Sequence, residues 1–142
     1  MLWKIVSAAL IAGLIMNGTE VQAASVVMPN AQPTPTQTAA VRHAFGKEFA
    51  DIAPFVVGEA DLNGDGHPDL IVQTRNSDFC GGLGCSWYAL LATANGYAAK
   101  GIDLGVLSFG TVTILDTVHH GMHDLRFDEG THVFRWNGRE YH

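Results

Sequence analysis

Charge is thin along this chain. Only 15% of its 142 residues are Asp, Glu, Lys or Arg, and the basic ones are scarcer, eight against fourteen acids. A net charge of −6 with no basic run excludes a phosphate-tracking nucleic-acid surface and a polybasic membrane patch. Long apolar runs are missing too: Ile5 to Met16 covers twelve residues and falls short of the ~20 that cross a bilayer. With only two cysteines the chain is no disulfide-dense mini-scaffold, and it has no Cys-x-x-Cys pair to act as a redox dithiol. Nor does a nucleophile stand out, because Ser86 and Ser108 have no base close by in sequence.

What is present begins with a targeting pattern. Lys4, the apolar stretch Ile5 to Met16 and the small-residue site Val21-Gln22-Ala23 read as a secretory signal peptide over residues 1–23. Its removal takes one base and one acid, so the net charge is unchanged and no membrane span is left. The expected location is secreted, and specifically periplasmic. The rest suffices for one domain and is too short for a multi-blade propeller. Pro29, Pro33 and Pro35 mark residues 24–35 as an extended tether, followed by a single β-rich domain over 36–142. In an oxidising compartment Cys80 and Cys85 are expected to form a disulfide around Gly81-Gly82-Leu83-Gly84. So small a ring adds only about 2 kcal/mol and serves mainly to fix a glycine-rich turn.

Periodicity then separates one helix from many strands. Thr34 and Pro35 offer a cap and a first helical position, and Val41, Phe45, Phe49 and Ile52 recur at helical spacing. The spacing predicts an amphipathic helix over 36–51, weakened by Gly46 and stopped before Pro54. Beyond it, strands are predicted at 55–60, 69–74, 87–93, 97–100, 105–109, 111–116, 123–128 and 132–136, with turns at Asn95-Gly96 and Asn137-Gly138. The expected class is α+β: an N-terminal amphipathic helix packed on a twisted antiparallel meander of hairpins. Trp87, Tyr88, Trp136 and Tyr141 are assigned to the core ahead of an aromatic contact surface.

The densest chemistry lies in the first hairpin bend. Asp61, Asn63 and Asp65 set oxygens at alternating positions before Gly66, and the His67 carbonyl and Asp69 carboxylate can complete a shell for a hard cation. Calcium is the expected ion. An EF-hand shares the first six positions, but Val72 stands where that loop needs a bidentate Glu, and no flanking helices are predicted. Without that group, affinity is expected in the ~10⁻⁴ to 10⁻³ M range of extracellular modules. The run from Asp61 to Val72 resembles the calcium loop of FG-GAP and VCBS repeats. That resemblance implies a calcium ion between two strands, held by Asp61, Asn63, Asp65, Asp69 and the His67 carbonyl, in a blade-like hairpin. The chain is also similar to small bacterial periplasmic proteins that pair such a loop with a Cys-Gly-rich-Cys turn. A degenerate second copy follows 55 residues later, where Asp116, Gly121, Asp124 and Leu125 match Asp61, Gly66, Asp69 and Leu70. There Val118 and His120 replace two of the oxygen donors.

These readings point to a calcium-binding, non-catalytic module for a protein or cell-envelope partner, inhibitor- or immunity-like in kind. A rival reading is a metal-dependent envelope hydrolase using the segment from His119 through His120 to His123, together with Asp124. His119 and His123 have the i, i+4 spacing of a zinc helix, but His120 stands where the catalytic Glu belongs and Gly121 opposes a helix. A third is a fragment that stacks with its own copies to finish a propeller.

Overall fold

The computed structural model describes residues 24–142, and the expected signal segment 1–23 lies outside them. Within that span three layers stack: helix, central sheet, second sheet.

The helical layer runs from Pro35 to Ile52 in two parts, α1 Pro35–Phe45 and α2 Phe49–Ile52, joined by a 3₁₀ turn at Gly46–Glu48. Thr34 caps it by accepting from the Gln37 N–H (3.1 Å), while the Gln37 side chain accepts from the Thr34 N–H (2.9 Å). Gly46 breaks the helix, adopting φ +56°. The helix is not the first element of the domain. Strand β1 (Ser25–Val27) precedes it inside the expected tether, because it finds a ladder on a distant strand, and Ala31 adds a bridge to Val57.

The central sheet is an antiparallel meander of β2 (Phe55–Ala60), β3 (Asp69–Thr74), β5 (Gly84–Leu90) and β8 (Ile102–Ser108). The short β4 (Cys80–Gly81) pairs with the start of β5. All six residues of β3 are buried, since both faces of the sheet are covered. Leu70 and Val72 meet Val41, Phe45 and Ile52 of the helical layer, while Ile71 joins Trp87, Ala89 and Leu104 against the second sheet. The Cys80–Cys85 disulfide is present, crossing the β4–β5 pair with Cα atoms 4.0 Å apart.

The second sheet has the order β1-β9-β10, with β9 Val112–His119 and β10 Met122–Phe127. Its tight turn is His120-Gly121, both at positive φ (+49° and +80°), the conformation a two-residue hairpin turn requires. Strand expectations change at several points; the strand expected at 105–109 begins at Ile102, and the one expected at 97–100 shortens to Gly96–Tyr97. The third strand starts at Gly84, earlier than Trp87, because the cysteine hairpin registers it. Ala94 and Asn95 form the turn between β6 (Ala92–Thr93) and β7 (Gly96–Tyr97), which shifts it one residue from Asn95-Gly96. Residues 132–136 form no strand and contribute only the bridges Leu125–Phe134 and Trp136–Tyr141. Trp87 is fully buried and donates from Nε1 to the Ser108 carbonyl (3.0 Å), and Tyr141 also lies in the core.

Candidate metal centre

The Ala60–Asp69 pair closes the β2–β3 loop, so residues 61–68 must turn back within the width of one hairpin. Gly64 and Gly66 make this possible at φ +71° and +81°. Asp61 organises the bend: one carboxylate oxygen accepts from the Gly64 N–H (2.8 Å) and the other from the Gly66 N–H (2.9 Å). Asp65 accepts in turn from the His67 N–H (2.9 Å). Leu62 points the opposite way, into the core, and is fully buried. Its carbonyl accepts from the His123 N–H (2.8 Å), which pins the loop to the irregular stretch of β10.

Three of the expected ligands converge. A terminal amide atom of Asn63 lies 3.0 Å from Asp65 Oδ1 and 3.1 Å from Asp61 Oδ1. Nitrogen at that point donates to both carboxylates and ties the three side chains together; a cation would require the amide to turn its oxygen inward. The trio is two carboxylates and an amide, and among the described residues no three His, Cys, Asp or Glu side chains gather as a metal-binding group. His67 is exposed beside the trio, its N–H tied to Asp65.

Asp69 sits beneath, fully buried, with Oδ2 accepting from the Leu62 N–H (2.8 Å) and Oδ1 from the Ala92 N–H (2.7 Å). Each oxygen keeps a second lone pair, so these bonds leave capacity for a cation. Burial pushes the Asp69 carboxyl above the ordinary 3.8, the two N–H bonds pull it back, and the charges of Asp65 and Asp61 push it up again. A divalent cation in the loop would cancel the last contribution.

The histidine segment is built differently. His119 Nδ1 lies 2.7 Å from Oδ1 of Asp124, a carboxylate only 1% exposed whose other oxygen accepts from the Thr117 hydroxyl (2.5 Å) and lies 3.9 Å from Arg135 Nε. His123 turns its Nδ1 to the Leu115 carbonyl (2.7 Å), and His120 occupies the turn. The i, i+4 pair lies on a hairpin, so its members do not share a helical face.

Leu62 anchors the loop in a way that a search for side-chain chemistry overlooks, by its burial and its backbone bonds to Asp69 and His123. Its signal was a lone apolar residue between two oxygen-bearing ones. Asp69 accepts from the backbone N–H of Leu62 and Asp124 from the side-chain hydroxyl of Thr117, each seven residues earlier, so the two contacts share a spacing and differ in donor. No family model matches the chain, and comparison with curated proteins and with solved structures gave no match either.

Proposed function

We propose that this protein is a secreted, periplasmic calcium-binding module that holds a protein or cell-envelope partner without catalysing a reaction, in the manner of an inhibitor or immunity factor. The observation that carries the calcium reading is that one terminal amide atom of Asn63 lies 3.0 Å from Asp65 Oδ1 and 3.1 Å from Asp61 Oδ1, which draws three of the expected donors together. Asp61, Asn63 and Asp65 would hold the ion by their side chains, with Asp69 beneath and the His67 carbonyl beside them. The ion supplies positive charge to a cluster of acids and a fixed geometry to the loop. Because Leu62 is bonded to His123, ordering the loop also orders the β9–β10 surface next to it. The four-strand meander β2-β3-β5-β8 has the connectivity of a single propeller blade, which supports the FG-GAP or VCBS likeness.

Calorimetry on the calcium-stripped protein tests the ion. Saturable heat in the millimolar range and a melting temperature lowered by EDTA are expected. No heat, with melting indifferent to chelator, overturns the reading. Capture of a partner from envelope extract should be lost in chelator. Capture that persists would move the contact to the far end of the central sheet, where Leu83, Leu107 and Phe109 are exposed.

A second reading, the metal-dependent hydrolase, draws on the His119–Asp124 pair, a buried carboxylate orienting an imidazole that is 45% exposed. Stoichiometric zinc that is lost on His119→Ala would favour it over the calcium module.

A further inference from the structure

Beyond residue 23 the chain carries three Asn-Gly pairs, Asn63-Gly64, Asn95-Gly96 and Asn137-Gly138. An asparagine amide is most labile in that setting, because a following residue without a Cβ lets its backbone nitrogen reach the side-chain carbonyl carbon. The fold treats the three pairs differently. In the loop, Asn63 is tied to Asp65 (3.0 Å) and Asp61 (3.1 Å), and the Gly64 nitrogen, which would have to attack, donates to Asp61 (2.8 Å). Asn137 Oδ1 accepts from the Arg139 and Glu140 N–H groups (both 2.9 Å). Asn95 and Gly96 are exposed, and among the described residues no hydrogen bond holds the Asn95 side chain. Their hairpin is a separate two-stranded sheet of two residue pairs, Ala92–Tyr97 and Thr93–Gly96, so it opens locally at low cost.

We infer that Asn95 is a site of spontaneous covalent modification, closing a cyclic imide with Gly96 that reopens as isoaspartate or aspartate. The deprotonated Gly96 nitrogen attacks Asn95 Cγ. An N–Cγ bond forms, the Cγ–Nδ2 bond breaks, and Nδ2 leaves as ammonia with the proton that Gly96 gave up. Water then adds its hydroxyl to one imide carbonyl carbon and its other proton to the nitrogen. Opening at Cγ gives aspartate; opening at the backbone carbonyl gives isoaspartate, whose main chain runs through Cγ and is one atom longer. Water is the only co-reactant. The longer chain disturbs the Thr93–Gly96 pair, and the neighbouring Ala92 N–H is a donor to buried Asp69 (2.7 Å). Change at the turn therefore reaches the floor of the β2–β3 loop through the folded chain, with or without an ion there.

The test holds the full chain in mildly alkaline buffer with EDTA, well below its melting temperature, and follows it by peptide mass spectrometry. EDTA separates the outcome from the fate of the calcium reading. The peptide containing Asn95 should gain one mass unit first, faster as pH rises, and its fragments should show isoaspartate at that position. Asn63 and Asn137 should lag about tenfold, the factor imposed by first breaking one hydrogen bond. Asn95→Gln, whose longer side chain must close a larger ring, should abolish the change there. Asn63 or Asn137 changing as fast as Asn95, or an Asn95 that stays intact while either of them changes, overturns the site. Protein enriched in isoaspartate should melt below both the fresh chain and Asn95→Asp. Equal melting of all three overturns the link to Asp69.

Discussion

Asp69→Asn changes one atom in the most enclosed part of the loop, and its consequence can be worked through. The carboxylate is fully buried and each oxygen receives one backbone N–H, from Leu62 at 2.8 Å and from Ala92 at 2.7 Å. An amide keeps one of these bonds and points its NH₂ at the other N–H, so one charge-assisted bond becomes two opposed donors. The loss of such a bond with its partner stranded is about 3 kcal/mol, and relief of the buried charge returns part of it, leaving a net cost near ~2 kcal/mol. For a domain of about 120 residues that corresponds to a melting temperature lowered by roughly 8 °C. The pH dependence adds a second signature. The folded-state pKa of Asp69 lies above 3.8, so the folded protein binds the proton more readily than the unfolded chain. Stability from this group is therefore full below the unfolded pKa and is lost as pH rises through the folded one. The parent should gain on the variant as pH falls from neutral towards 4, measured by urea unfolding in EDTA. A variant that melts with the parent, or a gap that narrows on acidification, would refute the reasoning.

Two further outcomes follow from the packing. Gly84→Ala places a methyl on the Ser108 backbone at a φ of +127°, and should cost about 3 kcal/mol by urea midpoint, whereas Gly81→Ala, with nothing within 4 Å, should stay within about 0.5 kcal/mol. Tyr141 donates to the His123 carbonyl (2.9 Å), and its phenol is pushed above 10.0, first by burial and then by Asp124 and Asp69. The neutral phenol's contribution is present below the unfolded pKa near 10 and is lost as pH climbs towards the folded value. Tyr141→Phe should cost about 1 kcal/mol at neutral pH and flatten the alkaline loss, which for one group approaches ~1.4 kcal/mol per pH unit.

The parts of this fold that could be read in advance are those decided within a few residues. Thr34 and Pro35 announce the helix start, Gly46 a weak point where the structure breaks the single helix expected over 36–51, and the flanks of the loop become β2 and β3 at the predicted positions. The tight bend that gathers Asp61, Asn63 and Asp65 was legible because glycine placement is a local property. Ser25–Val27 was not, since nothing in it differs from a tether until β9, some 85 residues later, offers a ladder. Residues 132–136 have strand composition but meet β10 at a single bridge, so composition alone misleads there. Leu62 bonding to His123, and Asp69 to Ala92, depend on which hairpins pack together. Sequence spacing carries no information on that.

The two buried carboxylates Asp69 and Asp124 differ in what surrounds them, and the difference bears on the proposed calcium site. Asp124 lies 2.7 Å from the His119 imidazole and 3.9 Å from the guanidinium of Arg135, a cation. Asp69 has no such partner among the described residues; its neighbours are Asp61 and Asp65, and both raise its pKa. Calcium held by those two acids would do for Asp69 what Arg135 does for Asp124, with the charge supplied from solution and not by the chain. Asp65→Asn isolates this effect, because an amide oxygen can keep the bond to the His67 N–H while one negative charge disappears. The variant should melt at or above the parent in EDTA and below it in millimolar calcium, so the two curves cross. If Asp65→Asn and the parent respond identically to calcium, the ion does not balance Asp69 and the loop is an ordinary turn.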